Sequence, residues 1–176
     1  MSLASYITLS RIMLIIPVLY FTKVSEEYLA LILFIIAGLT DYFDGFIARK
    51  TKTETSLGAF LDLLADKLLV CLVLVWCAFI SASTIIVIPA LVIISRELII
   101  SSMRQFLVEK IGKNPIKVTY IAKSKTTIQI IAISFLILSP EMGEFFNKVT
   151  ILLLWVSAFI SVYTLYNYLK SYRHYF

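Results

Sequence analysis

The sequence has few of the residues that bind transition metals or form covalent crosslinks. Its 176 residues include two cysteines and one histidine. Cys71 and Cys77 lie inside an apolar stretch with no second ligand type nearby, and His174 is close to the end of the chain. Zinc sites and disulfide-stabilised scaffolds need more histidine or cysteine than this. We therefore expect any metal site to be built from oxygen ligands, and the two cysteines to serve in packing.

Long polar segments are also missing. Charged residues make up 15% of the chain and hydrophobic residues 60%, with a mean hydropathy of +0.94. This composition is too apolar for an ordinary soluble domain, and no polar run separates one part of the chain from another. The sequence therefore predicts a single transmembrane domain over residues 1–176.

Six apolar segments indicate six transmembrane helices, and hence an all-α polytopic membrane protein. These segments cover residues 7–21, 28–39, 57–80, 85–102, 121–138 and 149–169. Basic residues cluster after the second, fourth and sixth segments, whereas the connection at residues 81–84 has none. The positive-inside rule then predicts that both termini are cytoplasmic. We expect the protein to lie in the cell's inner (cytoplasmic) membrane. The net charge of +5 fits a membrane surface, so we expect no nucleic-acid partner.

Four aspartates interrupt the apolar pattern at the predicted cytoplasmic ends of helices two and three. Asp41 and Asp44 are three residues apart, and Asp62 and Asp66 are four apart, so each pair shares one helix face. Four carboxylates near apolar depth would cost on the order of ten kcal/mol if nothing compensated them. Two divalent cations would balance their charge, and all-oxygen ligation favours Mg²⁺ or Mn²⁺.

Residues with little or no side chain lie one helical turn from three of these aspartates. Gly45 follows Asp41, Ala48 follows Asp44, and Gly58 precedes Asp62, each by four residues. A ligand could approach the backbone closely at these positions. For Gly38, in contrast, we expect close helix packing to be the reason for the glycine.

The complete motif resembles the signature of the CDP-alcohol phosphotransferase family. It reads D-x2-D-G-x2-A-R-x8-G-x3-D-x3-D from Asp41 to Asp66. The resemblance implies a six-helix membrane bundle with its active site on the cytoplasmic side. It also implies an enzyme that transfers the phosphatidyl group of CDP-diacylglycerol to an alcohol and releases CMP, with two divalent metals and a homodimeric assembly.

Roles for individual residues follow from this resemblance. It implies that Asp41, Asp44 and Asp62 are metal ligands, and that Asp66 is both the catalytic base and a metal contact. The nucleotide and its phosphates would be bound by the remaining motif positions and by a residue near the N-terminus: Gly45, Ala48, Arg49, Gly58 and Thr8. Two departures are present: Ser5 replaces an asparagine usual in the N-terminal N-x-x-T-x-x-R pattern, and Leu63 replaces a common proline.

Cationic residues in the later helices indicate a phosphorylated acceptor. Arg96 and Arg104 lie in the apolar fourth segment, and Lys123 and Lys125 lie at the start of the fifth. Charges at helix ends can also extend to the lipid headgroups, an explanation that suits Lys125 better than Arg96. The strings "ISRELIISSMRQ" and "IAKSKTTIQ" are similar to those of the bacterial phosphatidylglycerophosphate synthases of this family, which implies glycerol 3-phosphate as the acceptor.

Alternative functions stay open at this point. The same fold with serine, inositol phosphate or phosphatidylglycerol as the acceptor would keep the aspartates and change the acceptor pocket. Two remoter alternatives are an aspartate-rich membrane prenyltransferase and a cation transporter. The tyrosines of the last segment, Tyr163, Tyr166, Tyr168 and Tyr172, predict an aromatic belt at the membrane surface.

Overall fold

The computed structural model describes the helices of residues 3–51, 56–111 and 120–172, with side-chain surroundings for residues 9–40, 64–65, 67–110 and 126–172. The chain forms six α-helices in these ranges: α1 Leu3–Lys23, α2 Glu27–Thr51, α3 Ser56–Ser81, α4 Thr84–Ile111, α5 Tyr120–Leu138 and α6 Glu144–Tyr172. The predicted all-α fold with six helices is confirmed. Most of the helices extend beyond the apolar segments, and α2 continues through the aspartates to Thr51.

Two tight turns join helices that are neighbours in the bundle. Ser25, between α1 and α2, has a φ of 60°, and Ala82, between α3 and α4, has a φ of 48°. A single residue in the left-handed region is a common way to end a helix, because it lets backbone N–H groups bond back to the last turn. Glu26 N donates to Phe21 O at 3.0 Å in this way. These turns reverse the chain, so that α1 packs on α2 and α3 packs on α4.

The core of the bundle is made by aliphatic and aromatic residues from all six helices. Helix α1 packs on α2 and α3, α6 packs on α4 and α5, and α5 also contacts α2 and α3. Val18, Phe34, Val73, Ile133 and Leu154 are at most 2% exposed and represent five of the helices in this core. Burial of each such side chain stabilises the folded state by about 1.5–3 kcal/mol. The packed core thereby fixes where the polar residues of each helix lie along the bundle axis.

The outside of the bundle is apolar as well. Phe79, Phe145 and Phe159 are 73%, 81% and 67% exposed. Large exposed apolar surfaces of this kind mark contact with lipid or another protein. Two helices, α4 over Thr84–Lys110 and α6, are long and apolar enough to cross a membrane by length and composition, with mean hydropathies of 2.1 and 1.9. The protein is therefore a membrane protein with apolar helices.

Small residues test two of the packing predictions. Cys77 is buried, Cys71 is half-buried, and both are free thiols, in agreement with a packing role. The prediction for Gly38 is wrong: a β-carbon placed there would meet no described atom within 4 Å. Gly38 lies on a face of α2 where no described helix approaches closely, so close helix packing does not explain this glycine.

Candidate functional site

Helices α2 and α3 carry the four aspartates of the motif. Asp41 and Asp44 lie in the C-terminal half of α2, and Asp62 and Asp66 lie in the N-terminal half of α3, which packs on α2. Their helical backbone places each pair about one turn apart, as the spacing predicts. The aspartate side chains are outside the described residues. In the part of the chain with described side chains, no group of three or more His, Cys, Asp or Glu residues could hold a metal.

The other predicted nucleotide-binding residues are placed by backbone alone. Gly45, Ala48 and Arg49 belong to α2, Gly58 belongs to the first turn of α3, and Thr8 belongs to α1. Their side-chain surroundings are outside the described residues, so their roles stay predictions. Arg11, one turn after Thr8, is fully buried in α1. A fully buried arginine is costly unless it is engaged, so Arg11 is a structural or functional part of the bundle and not a surface charge.

An ion pair fixes the height of α3 against α4. Lys67, the residue after Asp66, approaches Glu97 with 3.4 Å between Nζ and Oε2. At 1.5 Å per residue, Lys67 lies about 20 Å before the end of α3 and Glu97 about 20 Å after the start of α4. The two helices therefore run side by side in opposite directions, and the level of Asp66 on α3 matches the level of Arg96 and Glu97 on α4.

Arg96 is buried in the bundle between α4 and α6. Only 8% of the residue is exposed. Its Nη2 donates to Thr164 Oγ1 at 2.8 Å, its Nε donates to the Ser161 carbonyl at 3.3 Å, and its Nη1 lies 3.2 Å from Glu97 Oε1. Extension to the lipid headgroups is therefore not the role of Arg96. Described residues accept from three of the five guanidinium N–H groups, and within this part of the chain two remain for a ligand.

Arg104 lies two turns further along α4, near Arg96 and Tyr168. It interacts electrostatically with both residues. The Nε of Arg104 is buried without a hydrogen-bond partner among the described residues. The buried Tyr168 hydroxyl is close enough to the Arg104 side chain to interact with it, although not in standard hydrogen-bond geometry. The Ser161 hydroxyl, like the Nε of Arg104, is buried without a partner among the described residues. Buried polar atoms are normally satisfied, so several orphaned atoms around two guanidinium groups indicate a place for a polar ligand.

The structure thus brings two of the four predicted acceptor-binding residues together. Arg96 and Arg104 share one polar region, whereas Lys123 and Lys125 lie in the first turns of α5 with side chains outside the described residues. Sequence reasoning did not identify Thr164 and Ser161 as partners of Arg96. Tyr168 was predicted to face the membrane surface, and for this residue the prediction is wrong, because its hydroxyl faces the two arginines. Tyr163 and Tyr166, at 58% and 61% exposed, fit the predicted belt.

The charges of this region suit a phosphate monoester. Two guanidinium groups offer planar sets of N–H donors, which match phosphate oxygens in pairs. Glu97 lies 3.2 Å from Arg96 and 3.4 Å from Lys67 and so holds two cations of adjacent helices in place. Arg96 and Arg104 are about 12 Å apart along α4, so a phosphate held by both would lie beside the part of α3 that carries Asp62 and Asp66. The arrangement can therefore hold a phosphorylated molecule beside the aspartate motif.

Comparisons with known proteins agree with the motif. The family model described as CDP-alcohol phosphatidyltransferase matches residues 1–163. A protein of Rickettsia bellii is 37% identical over 99% of this chain and 97% of its own length. Proteins of Pectobacterium atrosepticum and Shigella flexneri are 35% and 34% identical, each over 98% of this chain and 96% and 95% of their own lengths. All three are named CDP-diacylglycerol–glycerol-3-phosphate 3-phosphatidyltransferase.

The match covers almost the whole chain, and the aspartate motif falls within the matched residues. The four aspartates lie in α2 and α3, and the Lys67–Glu97 pair fixes the level of α3 against Arg96. The chain therefore belongs to the CDP-alcohol phosphatidyltransferase family and is an enzyme of that family.

Proposed function

We propose that the protein transfers the phosphatidyl group of CDP-diacylglycerol to glycerol 3-phosphate, giving phosphatidylglycerophosphate and CMP in phospholipid biosynthesis. The observation that carries the choice of acceptor is the buried guanidinium group of Arg96 at the level of Asp66, together with half-buried Arg104 two turns further along α4. The full-length relatives named for this reaction support the same choice. Serine has no phosphate to match two arginines, so it fits this region less well.

The reaction needs one bond to form and one to break. The primary hydroxyl of glycerol 3-phosphate attacks the phosphorus that carries the diacylglycerol, and the bond from this phosphorus to the oxygen of CMP breaks. In the proposal, Asp66 accepts the proton of the attacking hydroxyl. Arg96 and Arg104 hold the distal phosphate of the acceptor, and Lys123 and Lys125 from α5 complete its binding. This fixes the hydroxyl near the motif and lowers the entropic barrier to attack.

The metal ions of the family would be held by carboxylates. The family uses divalent cations, and Asp41, Asp44, Asp62 and Asp66 form an all-oxygen donor set that suits two Mg²⁺ or Mn²⁺ ions. When bound, such ions neutralise the diphosphate and stabilise the charge that develops on the leaving phosphate. Gly45, Ala48, Gly58, Arg49 and Thr8 are proposed to line the nucleotide and its phosphates.

The proposal includes the membrane location and orientation of the enzyme. All six helices would cross the inner membrane as one domain, with both termini and the site on the cytoplasmic side, where water-soluble glycerol 3-phosphate and CMP are exchanged. The charge asymmetry of the connections supports this orientation. The family resemblance supports a homodimer. Membrane lipids would cover the exposed apolar side chains.

An acceptor panel tests the proposed function. Purified protein in detergent with Mg²⁺ and CDP-diacylglycerol is offered glycerol 3-phosphate, serine, inositol phosphate or phosphatidylglycerol, each labelled, while CMP release is followed. We expect lipid product and CMP with glycerol 3-phosphate alone. CMP release with another acceptor and not with glycerol 3-phosphate would leave the family assignment intact and refute the named reaction.

A further inference from the structure

A small cavity that contains a buried carboxylate lies at the opposite end of the bundle from Arg96. It is formed where α1 and α3 end, α2 begins and α5 ends, about 20 Å along α3 from Lys67. Most of its lining is apolar, Thr22, Glu27, Ser81 and Ser139 supply its side-chain oxygen atoms, and its volume is about 60 Å³. A volume of this size has room for an ion and one or more water molecules. The proposed phosphatidyl transfer uses none of these residues.

Glu27 is the charged group of this cavity. It is 3% exposed, and its Oε2 is buried without a hydrogen-bond partner among the described residues. No described cation pairs with it: Lys23 is exposed, and Lys148 pairs with Glu144 at 2.8 Å. Glu27 is the first residue of α2, so the helix N-terminus supplies partial positive charge of about half a unit. Together with a hydrogen bond from Glu141, this is the compensation that the described residues give to the buried carboxylate, and Oε2 stays without a partner among them.

The three hydroxyl groups of the cavity can offer only lone pairs to a ligand. Thr22, Ser81 and Ser139 each donate their proton to the carbonyl three residues earlier in the chain, at 2.8, 3.0 and 2.9 Å. Thr22 Oγ1 also accepts a hydrogen bond from Trp76 Nε1 at 2.9 Å. A hydroxyl whose proton is engaged acts as an acceptor. The polar wall therefore consists of oxygen acceptors, which suits a cation and not an anion.

The surroundings favour a cation with a single charge. The pKa of Glu141, on the connection before α6, is raised, first by partial loss of hydration and then by a hydrogen bond with Glu27 and the charges of Glu27 and Glu26. This environment disfavours a second ionised carboxylate beside Glu27. The described residues also hold no cluster of three acidic, histidine or cysteine side chains, which a tightly bound divalent or transition metal would need.

We propose that this cavity binds a small monovalent cation of the Na⁺ class, with Glu27 as the charged ligand and hydroxyl oxygens and water completing the shell. Such an ion would join the ends of α1, α2, α3 and α5. Because it would bind the folded bundle and not the unfolded chain, it would stabilise the fold. The site is distinct from the proposed metal site of the aspartate motif, which lies at the other end of α3.

Thermal unfolding of the whole protein in detergent tests this site. NaCl is compared with choline chloride at equal ionic strength, with Mg²⁺ constant and saturating so that the aspartate motif is equally occupied. We expect Na⁺ at about ten times its dissociation constant to raise the Tm by about 3–5 °C, with saturation. The Glu27→Gln variant should lose this increment. The exposed neighbour Glu26 offers a matched control. The Glu26→Gln variant also loses one negative charge, but it should keep the Tm increment given by Na⁺.

A second variant keeps the test decisive if Glu27→Gln does not fold. Ser139→Ala removes one hydroxyl ligand and should raise the Na⁺ concentration needed for half of the Tm increment several-fold. Equal Tm values in NaCl and choline chloride for the unchanged protein would overturn the proposal. It would also be overturned by an increment that persists in Glu27→Gln, or by one given by CaCl₂ and not by NaCl.

Discussion

The carboxylate of Glu97 and the ammonium of Lys67 join the helix that carries Asp62 and Asp66 to the helix that carries Arg96 and Arg104. The distance between Lys67 Nζ and Glu97 Oε2 is 3.4 Å, and the two side chains are 21% and 15% exposed. Glu97 also lies 3.2 Å from Arg96. One carboxylate therefore sets the height of the proposed acceptor-binding residues relative to the aspartate motif.

A double-mutant cycle tests this connection. Lys67→Met and Glu97→Gln should each lower stability, and the double variant should be less destabilised than their sum, with a coupling of about 1–2 kcal/mol, since the pair is partly buried. Turnover should fall in Glu97→Gln, because both Lys67 and Arg96 lose their anionic partner. Thermal unfolding and CMP release measure the two effects. Strict additivity would show that the pair does not couple α3 to α4.

The metal prediction is checked by chelation and replacement. Excess EDTA should abolish CMP release, and Mg²⁺ or Mn²⁺ should restore it. Asp41→Asn, Asp44→Asn and Asp62→Asn should each lower kcat by about 100-fold or more, because each removes a ligand of ions that stabilise the leaving phosphate. Glu109→Gln, an exposed carboxylate of α4, is the control and should keep full activity. Full activity in excess EDTA would refute the two-metal hypothesis.

If Asp66 is the catalytic base, a substitution there should abolish turnover without abolishing substrate binding. Asp66→Asn keeps the size of the side chain and loses the proton acceptor, so kcat should fall by about 10²–10⁴-fold while CDP-diacylglycerol still binds. Turnover and equilibrium binding of the CDP-lipid are measured on the same preparation. If the variant keeps substantial turnover, another group accepts the proton.

Hydrophobic periodicity and composition predict the helices of this fold well. They do not predict which polar side chains of neighbouring helices contact each other inside the bundle. Apolar segments long enough for a membrane have few alternatives to a helix, because their backbone groups must bond within the segment. The tyrosines of α6 are an example, because the sequence does not show which of them faces the interior of the bundle. Tyr163, Tyr166 and Tyr168 look alike in the sequence, and the rotation of α6 against α4 decides that Tyr168 alone of the three meets the arginines.

The polar surroundings of Arg96 and Glu27 could not be predicted from the sequence for the same reason. Thr164 is 68 residues from Arg96, and contact between them depends on how α6 packs on α4. From the sequence alone Glu27 has the pattern of an ordinary loop charge, because Glu26 and Glu27 follow Lys23 in a short connection and such charges are usual at a membrane surface. Its burial follows from the left-handed turn at Ser25, which places the start of α2 against the ends of neighbouring helices.

The kinetics of Arg104→Gln test the central claim most directly, that the arginines of α4 hold the phosphate of the acceptor. Arg104 is half-buried, its Nε has no hydrogen-bond partner among the described residues, and its side chain interacts with Tyr168, so its loss should lower the Tm only slightly. Loss of a charged hydrogen bond to phosphate should raise the KM for glycerol 3-phosphate by about 10–100-fold. The KM for CDP-diacylglycerol should not change, and the exposed Lys110→Gln serves as the control on the same helix. Equal increases in both KM values, or an unchanged KM for glycerol 3-phosphate, would contradict the account.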